Sequence, residues 1–108
     1  MERIETTAIR NLIHNEEYCR KVLPFIKEEY FTDRLEKLVF TQIYEFVNKY
    51  NNLPTKESLS IEMNSNKSVS EDEYKRMNEI ISSLNPEPIN LDWLVETTEV
   101  WCKDRAIH

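Results

Sequence analysis

DRLEKLVFTQIYEFVNKYNNLP, residues Asp33 to Pro54, is the stretch that decides the fold. Asp33 followed three residues later by Glu36 has the capping-box pattern of a helix start. Leu35, Leu38, Val39, Gln42, Ile43, Phe46, Val47 and Tyr50 then form a nearly continuous stripe of helical period, which gathers them on one face. Asn51-Asn52-Leu53-Pro54 ends the pattern, because proline disfavours helical conformation in the residue before it. A long amphipathic helix with a marked start and stop therefore sits mid-chain. Phe40 and Tyr44, at i and i+4, fall off its main stripe. They form a candidate exposed patch for protein contact, with cover by neighbouring helices as the alternative.

Towards the N-terminus, Ile4, Ala8 and Leu12, flanked by Ile9 and Ile13, recur at helical spacing. Asn15 breaks that helix and caps the next, with Glu16 and Glu17 near its positive end. The second helix is predicted to run to about Leu23, with Pro24 restarting a turn through Phe25 and Ile26. Tyr30-Phe31 are expected in the core. Towards the C-terminus, Thr55 caps a short helix carrying Leu59, Ile61 and Met63, and residues 64–68 form a loop. Ser70 with Glu73 is a second capping box, opening an amphipathic helix with Tyr74, Met77, Ile80, Ile81 and Leu84. Asn85-Pro86-Glu87-Pro88 is a stiff connector, and Asn90 caps the last helix. Strand-like alternation and internal repeats are both missing. The fold class is all-α, a compact irregular bundle of about six short helices.

The last helix carries two stripes. One holds Leu91, Leu94, Val95, Thr98, Trp101 and Cys102; the other holds Trp93, Thr97, Val100 and Ile107. A helix facing one layer needs one stripe. Trp93, Val100 and Ile107 are thus candidates for a second surface, met either by another subunit or following segment, or by the bundle wrapping this helix from both sides. Lys103 to His108 continues the pattern with no stop signal, so the helix is expected to lead on to a missing segment.

Composition narrows the function further. The 108 residues contain no glycine, where roughly seven or eight would be usual. Phosphate-cradling loops, dinucleotide fingerprints and nucleophile elbows all need glycine, so those sites are excluded in their common forms. The net charge of −6 is uneven: residues 1–54 hold eight basic and nine acidic side chains, residues 55–108 six and eleven. That balance disfavours binding to a phosphate backbone. Arg20, Lys21 and Lys27 make the best short basic patch. No stretch is apolar enough to be a signal peptide or a membrane span, which with two widely separated cysteines, Cys19 and Cys102, points to the cytoplasm and reduced thiols. The spacings His14–Cys19 and Cys102–His108 do not suit a shared metal. Of the acidic clusters that could serve as general acid and base, Glu16-Glu17 and Glu71-Asp72-Glu73 are explained by helix first turns; Glu28-Glu29 is the third. Such a chain works by contact, with no catalytic, cofactor or metal residues.

The ordered pieces resemble the N-terminal domain of hexameric replicative DNA helicases of the DnaB type, most closely the form in T4-like phages. The resemblance rests on the opening helix, Tyr18-Cys19-Arg20-Lys21-Val22-Leu23-Pro24, Glu29-Tyr30-Phe31, Leu38-Val39-Phe40-Thr41-Gln42-Ile43, and Leu53-Pro54-Thr55 opening the next helix. It closes with Trp93-Leu94-Val95-Glu96-Thr97-Thr98-Glu99 and Asp104-Arg105-Ala106. These packing and turn signatures cover essentially the whole chain and include no catalytic motif. The chain departs from the pattern where it stops, inside the last helix.

The resemblance implies that residues 1–108 are a collar domain, truncated before a linker and a RecA-like ATPase domain. Such domains pair into weak dimers, help hold the hexamer together and dock a primase and a helicase loader. NTP and Mg would be bound by the missing motor, and nucleic acid by that motor also. The setting would be cytoplasmic, the host cytoplasm for a phage protein. No binding residue is assigned by matched motifs. Two other readings stay open: a free-standing helical adaptor, and a small helix-turn-helix DNA binder, which needs a basic recognition helix.

Overall fold

The computed structural model describes residues 2–107. Among them the chain forms six α-helices, one 3-10 turn and no strand. The helices are α1 (Ile4–His14), α2 (Glu16–Val22), α3 (Arg34–Tyr50), α4 (Lys56–Asn64), α5 (Glu71–Ser82) and α6 (Leu91–Ile107), with the 3-10 turn at Glu28–Tyr30. The radius of gyration is 13.3 Å, matching the roughly 13 Å of a compact domain of this length.

The helix starts follow the capping residues. Asn15 accepts from the Tyr18 N–H at 3.0 Å, and Asn90 from the Trp93 N–H at 2.9 Å. Ser70 and Glu73 close a reciprocal box, and Thr55 closes another with Ser58. Asp33 accepts from the N–H groups of both Leu35 and Glu36. Glu36 does not complete the expected box, because its buried carboxylate turns instead to Arg3 at 2.6 Å and Thr6 at 3.2 Å. A long-range ion pair has displaced a local cap. Asn51 ends α3 at φ 50°, ψ 40°, the left-handed conformation that glycine most often supplies and asparagine tolerates. Pro24 closes a turn and starts no helix: the Phe25 and Ile26 N–H groups both bond the Val22 carbonyl at 3.0 Å.

Central to the packing is α3, which contacts α1, α4, α5 and the 3-10 turn, while α1 also packs on α2 and α6, and α4 and α5 on each other. Tyr18, Phe31, Phe40, Leu12, Ile43, Leu59, Met77 and Leu94 are buried in one cluster. Phe31 stacks on Phe40 with ring centres 4.9 Å apart, and Trp101 of α6 meets Phe31 edge-on at 5.2 Å. Tyr18 and Thr98 share a buried hydrogen bond of 2.8 Å. Since Thr98 donates its one hydroxyl proton to the Leu94 carbonyl, Tyr18 is the donor to Thr98. The outer face of α1 is held by charge, through Glu2–Arg10, Arg3–Glu36 and, across 100 positions, Glu5–Arg105 at 3.3 Å.

Three expectations about the core need correcting. Phe40 is buried, while Tyr50 and Ile61, placed on apolar stripes by their spacing, are exposed. The buried line of α3 is Leu35, Glu36, Val39, Phe40 and Ile43, rotated from the expected stripe towards the Phe31 ring. The end of α3 outreaches the core, so Phe46 and Tyr50 contact each other at 4.7 Å.

Candidate protein-interaction site

The five residues singled out for contact separate into two places and one error. Phe40 is 2% exposed and belongs to the core. Tyr44, one turn on, stands 42% exposed with its ring 6.1 Å from that of Phe40. Trp93, Val100 and Ile107 are 54%, 68% and 79% exposed. Of the two readings of α6, the bundle does not wrap it from both sides. Its inner face buries Leu94, Thr98, Trp101 and Cys102, and the second stripe is left to solvent.

Tyr44 is a ridge between two clefts formed where α3 runs beside the turn after α2. One, of about 270 Å³, is lined by Cys19, Leu23, Pro24, Val47 and Leu53 as well as Tyr44. The other, of about 490 Å³, lies between Ile26, Lys27 and Glu28 on one side and Phe40, Thr41 and Glu45 on the other. The turn at Pro24 shapes both, because it holds Leu23 and Pro24 against the α3 flank. These are open, largely apolar depressions, suited to receiving a partner's side chains beside an aromatic anchor. The rim carries Glu28, Glu29 and Glu45 against Lys27, and Glu28 accepts a hydrogen bond from Thr41 at 2.6 Å.

Burial pushes the thiols of Cys19 and Cys102 up to about 11, so neither is a thiolate nucleophile near neutral pH; both are free and buried. His14 is engaged by its Nε2 with the Leu84 carbonyl at 2.5 Å. A carbonyl only accepts, so Nε2 carries the proton and the ring staples the end of α1 to the end of α5. The short basic patch is largely neutralised: Arg20 pairs with Glu16 at 2.8 Å and Lys21 with Glu17 at 3.9 Å, each one turn apart. Arg34 holds Glu73 at 2.9 Å and, with the Ser70 cap, keeps that carboxyl below its usual range.

The α6 stripe has a simple geometric cause. Trp93, Val100 and Ile107 are spaced by seven residues, and each step of seven falls about 20° short of two full turns. The three side chains therefore rise along one line of α6, over about 21 Å at 1.5 Å per residue. Sequence spacing marked this stripe and left both readings open; its exposure comes from the packing of the bundle. Spacing also could not separate Phe40 from Tyr44, since both lie on one side of α3, and only the position of Phe31 buries the first. Among the described residues no helix is long and apolar enough to cross a membrane.

No family model matches the chain. Over 99 residues, 92% of its length, it is 33% identical to a DnaB-like replicative helicase of Enterobacteria phage T4. The chain spans 21% of that protein's length. It is thus related to a limited region of a replicative helicase.

Proposed function

We propose that this chain is a non-catalytic assembly and recruitment domain of a replicative DNA helicase, acting in the host cytoplasm of a phage. The observation that carries the reading is the apolar stripe of α6, which the chain's own bundle leaves uncovered. Similarity to the T4 helicase over 92% of the chain supports a setting in DNA replication; the ring of a hexameric motor is the one we assign to it. The 99 matched residues are a fifth of that protein, and nucleotide, Mg and DNA-tracking charge would belong to the remainder.

The physical mechanism is one of weak, repeated contacts. A single stripe buries far less than the roughly 1,200 Å² of a stable standard interface. Six copies tethered to one ring see each other at a high effective concentration, so modest contacts suffice to order the collar. The clefts beside Tyr44 are the place we assign to a primase or a helicase loader. An acidic surface favours that division of labour, because it repels DNA from the collar.

The test uses the protein from the complete reading frame that contains this sequence. A frame continuing into a linker and a G-x-x-x-x-G-K-[ST] loop is expected, as is a hexamer by sedimentation velocity. Combined Trp93→Lys and Val100→Lys substitutions should weaken the hexamer, and Tyr44→Lys should lower capture of primase or loader while the hexamer persists. Nucleotide hydrolysis by the 108-residue chain itself, or a frame that stops without a motor, would overturn the reading.

A further inference from the structure

Leu23, Pro24 and Tyr44 line both clefts on the α3 flank, so the exposed Tyr44 ring divides one depression into two halves. Val47 and Leu53 floor one half, Ile26 and Phe40 the other. All four are buried or half-buried. A partner reaches them by lowering side chains on either side of the ring. The site therefore calls for two apolar side chains set about one ring's width apart.

Two features of the surroundings narrow what can carry those side chains. The first is the backbone. An extended segment brings a row of unpaired N–H and C=O groups that needs a sheet edge, and the described residues form no strand. A helix satisfies its own backbone. Residues four apart on it stand about 5–6 Å from each other on one face, close to the width of an aromatic ring.

The second feature is charge. Lys27, Glu28, Glu29 and Glu45 line the half floored by Ile26 and Phe40, three carboxylates against one ammonium. None of the four takes part in an ion pair within the described residues. In the other half the charges cancel, because Arg20 pairs with Glu16 at 2.8 Å; the rest of its polar rim is the amides of Asn48, Asn51 and Asn52. The complement of this surface is positive on one side and neutral on the other.

We infer that the Tyr44 saddle receives a cationic amphipathic helix of a partner protein. Two large apolar side chains one turn apart sit astride the ring, and lysine or arginine lies over Glu29 and Glu45. The inference rests on the reading of these clefts as a docking place and adds the chemistry of the docked segment. So small a contact belongs in the range of about 10 µM to 1 mM.

The experiment uses the 108-residue chain and three synthetic peptides of about 16 residues, long enough to form a helix. The first carries two leucines four apart, with lysines flanking them. The second replaces every lysine by glutamate. The third keeps the lysines but sets the leucines two apart, on opposite faces of the helix. Amide chemical shifts of the chain measure both affinity and place. The first peptide should bind and move Ile26, Tyr44 and Leu53 most; the other two should bind at least about tenfold more weakly. Combined Glu29→Lys and Glu45→Lys substitutions should invert the preference between the first two peptides. Tyr44→Ala should weaken the first about tenfold. These three side chains are exposed, so circular dichroism should show unchanged folding in both variants.

No binding of the lysine peptide below about 1 mM overturns the proposal. So does equal binding of the lysine and glutamate peptides, or a response centred on Trp93 and Val100 in place of Tyr44. Capture of a primase or loader by the complete reading frame, and its loss on Tyr44→Lys, is read separately. That capture can stand when the lysine peptide fails, and can fail when the peptide binds.

Discussion

Replacing Phe40 by alanine separates core from surface on α3. The Phe40 ring is 2% exposed, stacks on Phe31 at 4.9 Å and lies beneath Tyr44 at 6.1 Å. Truncating a buried phenylalanine costs about 3–5 kcal/mol, through lost transfer energy and the cavity left behind. The stacked pair accounts for about 0.5–1.5 kcal/mol of that beyond simple burial. A domain of this size is stable by about 5–15 kcal/mol, so the change removes a large fraction of the total. At roughly 4 °C or more per kcal/mol, the midpoint of thermal unfolding should fall by at least about 12 °C. Tyr44→Ala, at a position 42% exposed, should cost about 1 kcal/mol or less. Urea unfolding followed by far-ultraviolet circular dichroism measures both. Phe40→Leu, which keeps most of the volume, guards against a variant too unstable to measure. If Phe40→Ala and Tyr44→Ala lose similar amounts, the assignment of one to the core and the other to the surface is wrong.

Two further outcomes follow from the backbone and from burial. Asn51 holds φ at 50°, so Asn51→Gly should be close to neutral, while Asn51→Val should cost about 1–2 kcal/mol by forcing a branched side chain into left-handed space; chemical denaturation distinguishes them. Cys19 and Cys102 ionise near 9.0 when unfolded but at about 11 when buried. Above pH 9.0 the unfolded chain therefore releases protons that the native chain retains, and stability should fall as pH rises from there towards 11. Burial pushes Tyr18 in the same direction. Urea midpoints on either side of pH 9.0 test this, and alkylation of both thiols should be slow in the native chain and fast in urea; rapid native labelling would show that the two sites are open.

Much of the fold was legible because its signals are local. Asn15, Asp33, Thr55, Ser70 and Asn90 each begin a helix, since a side-chain oxygen must satisfy the exposed N–H groups of the first turn wherever the helix later packs. The apolar period of α1 and α5 named buried residues correctly, Ala8, Ile9 and Leu12 in one and Met77 and Ile81 in the other. The buried charges were not legible. Local pattern makes Glu36 a capping-box partner and assigns Glu5 no role; only the approach of Arg3 and Arg105 makes their burial tolerable.

By itself the sequence determined that the chain is all-helical and where most of its helices start, because those signals are local. It also marked a second apolar stripe on α6 without deciding its fate. Tertiary structure decided which of two neighbouring aromatics is inside, because Phe31 covers Phe40 and nothing comparable covers Tyr44. It likewise decided that Trp93, Val100 and Ile107 face outward, because α1, α2 and the 3-10 turn all pack on the opposite side of α6. Helical period fixes which residues share a face; only the placement of the other helices determines which face is covered.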